Sequence, residues 1–175
     1  MLILASNSPR RKELLAQIGV ACEVIPGTYA EDVPGRDNPE KFVDIQAAGK
    51  AASVALRYPD HWVLGADTVV AADGKILGKP RHEAEAVRML AGLSGRSHAV
   101  YTGVALQKGD VVYRHVEKTI VTFRTLGEEE ISAYVASGEP MDKAGAYGIQ
   151  GKGAVFVERI DGDYANVVGL PLCAV

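Results

Sequence analysis

The stretch Trp62-Val63-Leu64-Gly65-Ala66-Asp67-Thr68-Val69-Val70 is strongly β-like. Its tryptophan, valines and threonine suit a pleated surface. Asp67 is the exception in an otherwise apolar run. A carboxylate in such a strand is costly unless it finds a partner, a metal or a proton. Just downstream, Asp73-Gly74 is a two-residue turn signal between short strands, which predicts a hairpin.

Working outward, Asn38-Pro39 opens a helix that runs to about residue 56. Its apolar positions include Phe42, Val43, Ile45 and Ala48, and Tyr58-Pro59-Asp60 breaks it. Before it, residues 27–37 form a polar loop with Glu31 and Asp32. Nearer the N-terminus, residues 2–5 read as a short buried strand. A helix follows, with Ser8 as N-cap and Pro9 in its first position. Leu14, Leu15 and Ile18 form its apolar face, Gly19 ends it, and residues 22–25 make a second strand. Beyond the hairpin, residues 83–93 are helical, stopping at Ser94-Gly95. Residues 100–106 and 111–123 are long strands. Glu128-Glu129-Glu130 suits a helix N-terminus, with Ile131, Tyr134 and Val135 facing inward. A glycine-rich loop, a strand over 154–160 and a turn at Asp161-Gly162 complete the series. Interleaved strands and helices with added hairpins predict an α/β fold with a mixed sheet and flanking helices.

A length of 175 residues suits one domain. With 47% hydrophobic and 23% charged residues, extensive disorder is excluded. The net charge of −3 argues against a nucleic-acid binder. Cys22 and Cys173 form no CxxC pair, so a disulfide framework is not expected and a cytoplasmic location is. The apolar start ends at Ser6, too short for a signal peptide. No run approaches the roughly 18 apolar residues of a membrane span.

Four features bear on chemistry. In Ser6-Asn7-Ser8-Pro9-Arg10-Arg11, two arginines occupy a helix's first turn, where the dipole disfavours cations. A bound anion would offset this, since helix N-termini bind phosphate and arginine adds bidentate donors. Spacing alone leaves solvent-facing arginines equally open. Asp67 suits Mg2+, which reaches its sites together with phosphates, or a structural bond to Thr68 or backbone. Gly74-Lys75-Ile76-Leu77-Gly78-Lys79-Pro80 is not a Walker A loop: its glycines are too close, and Pro80 replaces the metal-binding hydroxyl. Lys79 is an anion ligand or a surface lysine. In residues 143–151, small residues allow close approach of a ligand, and the amide of Gln150 can read a base edge. Otherwise the loop is a connector. His61, His82, His98 and His115 fit no zinc pattern, and no G-x-S-x-G elbow occurs.

Five segments in order resemble the Maf family of nucleotide pyrophosphatases over nearly the whole chain. They are residues 6–15, Gly65-Ala66-Asp67-Thr68, Gly78-Lys79-Pro80, residues 142–151 and Gly169-Leu170-Pro171-Leu172. The resemblance implies a single domain over residues 1–175. Its fold would be related to the inosine triphosphate pyrophosphatases, with an elongated mixed sheet and a central cleft. It implies Mg2+-dependent (or Mn2+-dependent) hydrolysis of a nucleoside triphosphate between the α- and β-phosphates, giving monophosphate and pyrophosphate. Asp67 would be the proton acceptor, and Asp67 with Glu31 would hold metal. Ser8, Arg11, Lys50 and Lys79 would bind phosphate, while Arg10, Thr68 and Gln150 would set substrate specificity. That combination looks like the dTTP/UTP branch. The alternatives are the sister branch acting on 7-methyl-GTP, which typically has Trp and Gln at positions 10 and 68, and a non-catalytic nucleotide-binding regulator of cell division. A homodimer is allowed for; nucleic acid and membrane are not expected as partners. Family members usually continue into a closing helix that is apparently absent from this chain.

Overall fold

A computed structural model of the chain describes residues 1–29 and 37–175. Strand β1 (Leu2–Leu4) and strand β2 (Cys22–Val24) are parallel neighbours joined through α1 (Pro9–Gln17). Ser8 stands at the N-cap of α1 in an extended conformation, but its hydroxyl makes no capping bond. Leu14 and Leu15 are buried as anticipated. Ile18 is 47% exposed, because it is the C-cap residue, beyond the last helical turn.

Helix α2 (Pro39–Ala55) is capped by Asn38, whose Oδ1 accepts from the Lys41 N–H at 3.0 Å. It buries Val43, Ala47, Ala51 and Val54, while Phe42, Ile45 and Ala48 are only partly covered. The buried stripe is rich in alanine because the helix lies directly on the sheet. A Cβ on Gly65 would stand 2.3 Å from the Ala47 carbonyl oxygen, and one on Gly103 would stand 2.3 Å from that of Val43.

The sheet's long strands are β3 (Trp62–Ala72), β5 (Ser97–Lys108) and β6 (Val111–Phe123), with the short β4 (Lys75–Leu77) folded back on β3. The predicted hairpin is present. Asp73 and Gly74 have φ of 51° and 72°, the paired left-handed conformations of a type I′ turn. Helices α3 (Glu83–Leu93) and α4 (Glu128–Ala136) pack on the larger apolar cluster, which includes Leu64, Leu90, Phe123 and Phe156. A smaller cluster under α2 contains Ile3, Val63 and Ala105.

Two C-terminal elements differ from expectation. The strand expected from residue 154 begins at Val157, as β7 (Val157–Asp161), after a 3₁₀ turn over Lys152–Phe156. In that turn Ala154 N–H bonds back to the Gly151 carbonyl at 3.1 Å, while the N–H groups of Lys152 and Gly153 go to the Glu139 carboxylate. A short helix, α5 (Tyr164–Val168), follows, capped by Asp163, whose Oδ1 accepts from Ala165 N–H at 2.7 Å. The sheet order is β2-β1-β3-β5-β6-β7, with β4 on β3 and mixed pairing directions.

One consequence of this topology positions the site. Strand β1 pairs with β3 only through Leu64, and β4 pairs only from Val70 onward. Between them, residues 65–69 have β5 on one side and, among the described residues, no strand on the other. Among the described residues no helix is long and apolar enough to cross a membrane.

Candidate active site

A cavity of about 1000 Å³ opens along this unpaired stretch of β3. Ser8, Arg10, Arg11, Lys50, Asp67, Thr68, Lys79 and Gln150 all line it. Folding thus brings the N-terminal motif, the strand acid, the hairpin lysine and the glycine-rich loop to one hollow. Glu31, with Asp32, lies outside the described residues.

Alternation along β3 sends Gly65 and Asp67 toward α2, and Thr68 to the opposite face. On the α2 face, Lys50 Nζ donates to Asp67 Oδ1 at 2.6 Å, with side chains 17% and 16% exposed. The contact depends on α2 approaching over glycine: Asp67 stands directly opposite Gly103 in the β3–β5 register. A carboxylate so far removed from water needs such a counter-charge.

On the other face lies a connected polar chain. Arg11 Nε donates to the Gly169 carbonyl at 2.8 Å, Nη1 to Ser6 Oγ at 3.0 Å and Nη2 to Thr68 Oγ1 at 3.1 Å. Thr68 Oγ1 is 2.9 Å from Thr102 Oγ1, and Thr102 donates to the Asn166 carbonyl at 3.1 Å. Thr102 has one proton. It goes to Asn166, so Thr68 directs its own proton to Thr102 at 2.9 Å, the Gly169 carbonyl standing farther off at 3.5 Å, and accepts from Arg11. Asn166 Nδ2 continues the chain to Val100 O and Thr119 Oγ1. Burial pushes the Arg11 guanidinium below its ordinary pKa, and the charge of Asp67 opposes that shift. Arg11 is therefore an internal clasp that retains only its remaining η N–H groups for a ligand.

Arg10 and Lys79 are held less tightly than Arg11. Arg10 makes no hydrogen bond among the described residues, and its charge helps hold the Asp142 carboxyl below the usual range, after the larger effect of the Lys143 hydrogen bond. Lys79 is exposed between Gly78 and the buried Pro80. The Gly78 carbonyl accepts from Gly145 N–H at 3.1 Å, which ties the hairpin to the glycine-rich loop. Gln150 is exposed on that loop, next to the buried Ile149.

Sequence reasoning overlooked Lys75, Lys143, Asp37 and Asp142 as cavity residues. Lys143 donates to Asp142 Oδ1 at 2.7 Å and to the Glu139 carbonyl at 2.9 Å. The adjacency Asp142-Lys143 ahead of the glycine-rich loop was the available signal. With them, the described lining holds Arg10, Arg11, Lys50, Lys75, Lys79 and Lys143 against Asp37, Asp67 and Asp142. A chain of net charge −3 has concentrated positive charge in one hollow, as a polyanionic ligand requires.

Among the described residues no cluster of three or more His, Cys, Asp or Glu could cage a metal by itself. Asp67 among the cations that line this cavity fits a different arrangement. Mg2+ is commonly held by one or two carboxylates together with substrate phosphates.

The chain matches the family model described as Maf-like protein over residues 1–175. It is 55% identical over 171 residues to the dTTP/UTP pyrophosphatase of Bacillus cereus (strain AH820), covering 98% of this chain and 90% of that one. It is 54% identical to the dTTP/UTP pyrophosphatase of Symbiobacterium thermophilum, covering 98% and 88% respectively. The Staphylococcus aureus Ham1 protein is a distant structural likeness, with a TM-score of 0.47 and 14% identity over 73% of this chain and 72% of that one. With a match spanning every residue and relatives sharing more than half of theirs, the chain belongs to the Maf-like protein family.

Proposed function

We propose that the protein hydrolyses dTTP and UTP to the nucleoside monophosphate and pyrophosphate. The observation that carries this reading is the Lys50–Asp67 pair, set in a cleft whose other charged groups are mostly cations. The names of the relatives supply the substrate pair.

The residues divide the work by position. Lys79 takes phosphate oxygens, with the spare η N–H groups of Arg11 and the hydroxyl of Ser8. Lys50 starts on Asp67; when phosphates arrive it turns toward them, leaving Asp67 to orient a water and accept its proton. The water oxygen joins one of the phosphorus atoms flanking the α–β bridging oxygen, the P–O bond from that phosphorus to the bridging oxygen breaks, and the bridging oxygen leaves with the other fragment, giving monophosphate and pyrophosphate. A bound Mg2+, held by Asp67 and the phosphates, would offset the charge on the phosphate oxygens. A positioned base gives about 10²–10⁴-fold in rate, or roughly 3–5 kcal/mol of barrier. The cations supply the rest by stabilising charge as the bond breaks.

At the other end, Gln150 and Arg10 read the base. Uracil and thymine each present carbonyl acceptors flanking an N–H donor, which an amide matches with its own donor and acceptor. Thr68 has committed its proton to Thr102, so it offers a ligand only a lone pair and a methyl group. The free thiols Cys22 and Cys173 fit a reducing cytoplasm, where the nucleotide pool lies.

The test is a panel of nucleoside triphosphates with Mg2+ and product identification. Monophosphate and pyrophosphate from dTTP and UTP support the reading; orthophosphate and diphosphate, or equal kcat/KM for dTTP and GTP, overturn it.

A further inference from the structure

The glycine-rich loop is held in shape by a carboxylate that does not line the cleft. Glu139 lies in a 3₁₀ turn just after α4. Its Oε1 accepts from Tyr134 Oη at 2.9 Å and from Gly153 N–H at 3.3 Å, and its Oε2 accepts from Lys152 N–H at 3.0 Å. Tyr134 Oη in turn accepts from Gly148 N–H at 3.1 Å. The two side chains therefore grip the loop on both sides of Gln150.

The glycines are there to permit this grip. A Cβ on Gly151 would stand 2.5 Å from Glu139 Oε1, and one on Gly153 would stand 2.7 Å from the Gly148 carbonyl oxygen. Burial pushes the Glu139 carboxyl up in pKa, but the N–H of Lys152, the Tyr134 hydroxyl, the N–H of Gly153 and the charge of Lys143 outweigh it. An acceptor-only group is what this ring of donors demands.

We propose that Glu139, assisted by Tyr134, is the positioning residue that fixes Gln150 in the cleft and so sets the preference for pyrimidine over purine. This rests on the pyrimidine nucleotide reading above. Glu139 does not touch substrate; it acts through the loop. In Glu139→Gln one oxygen becomes an NH₂ facing other donors, while volume is unchanged.

The experiment compares dissociation constants of the non-hydrolysable α,β-methylene analogues of UTP and GTP for wild type, Glu139→Gln, Tyr134→Phe, Gln150→Ala and Glu139→Gln/Gln150→Ala. The UTP preference should fall about tenfold in Glu139→Gln, the scale of losing a charged hydrogen bond. The double variant should be no less selective than Gln150→Ala alone, since coupled residues are not additive. Amide exchange over residues 148–153 should speed up in Glu139→Gln. An unchanged preference, or equal weakening of both analogues, overturns the proposal. So does a double variant that loses the full product of the two single effects. If Glu139→Gln does not fold, Tyr134→Phe carries the same comparison with a smaller loss. Pyrophosphate release from UTP by wild type is scored separately, so failure of the enzymatic reading shows as missing product with the analogue preference intact.

Discussion

Asp67 and Thr68 are consecutive residues of one strand, face opposite sides of the sheet, and yet line the same cleft. This is possible only where a strand edge is open, as β3 is between the end of β1 and the start of β4. The cleft wraps round that edge. One face supplies the carboxylate with its lysine from α2, and the other supplies Arg11, the Gly169 carbonyl and the α5 network.

Replacing Asp67 with Asn keeps the shape and removes the carboxylate that we propose as proton acceptor. Turnover of UTP should fall by about 10²–10⁴-fold, while the nucleotide still binds through the cations. Steady-state rates and calorimetric titration with an α,β-methylene analogue check both halves. Turnover like that of wild type would take Asp67 out of the reaction.

Thr102 is fully buried and transmits the bond from Thr68 to Asn166. Thr102→Val retains the volume but leaves the Thr68 proton without that acceptor and the Asn166 carbonyl without that donor. Such a loss costs about 1–3 kcal/mol. Urea unfolding should show a lower midpoint with an unchanged slope. An unchanged midpoint would mean that the two hydroxyls are satisfied in another way.

Much of this arrangement was legible in local patterns. Asp73-Gly74 dictates its own turn, and the serines and arginines of residues 6–11, singled out at a helix start, do line the cleft. What was hidden depends on partners far away in sequence. The commitment of Arg11 to the Gly169 carbonyl spans 158 positions and appears only once α5 is in place. Helix α5 has five residues, too few for an apolar period, and its one local sign is Asp163 as a cap. The strand expected from residue 154 starts late because residues 152–156 wind into a 3₁₀ turn, in which Ala154 N–H turns back to the Gly151 carbonyl. Glu139, between Gly138 and Pro140, carries no local pattern that marks it.

His98 gives a pH dependence. It is 3% exposed, packs edge-on against Phe123, and its Nε2 is 2.7 Å from the Tyr147 hydroxyl. Burial lowers its pKa from 6.5 to about 4. Between those values the unfolded chain holds a proton that the folded chain does not, so stability falls as pH drops from about 6.5 to about 4 and this contribution then levels off. The full effect is about 3 kcal/mol. Urea midpoints at pH 7, 6, 5 and 4 should show the decline. His98→Phe should flatten that part of the curve, whatever its effect on stability at pH 7.

The contact between α2 and β3 can be tested without touching a charged group. An alanine at position 65 would place Cβ 2.3 Å from the Ala47 carbonyl oxygen and 2.6 Å from the Ala51 nitrogen. Both are backbone atoms of a helix and cannot rotate aside, so α2 must lift. Overpacking of this kind costs about 1–3 kcal/mol. Because α2 carries Lys50, the lift also withdraws the lysine from Asp67 and shifts that wall of the cleft. A misplacement near 1 Å can cost about 10²-fold in rate, so Gly65→Ala should lose far more activity than its stability loss alone would give at 25 °C. Gly92→Ala is the control: it lies in α3 with open space around its Cβ, and helix propensity favours alanine there by about 1 kcal/mol. It should be fully active and slightly more stable. If Gly65→Ala remains as active as Gly92→Ala, the seating of α2 on glycine does not govern the Lys50–Asp67 distance.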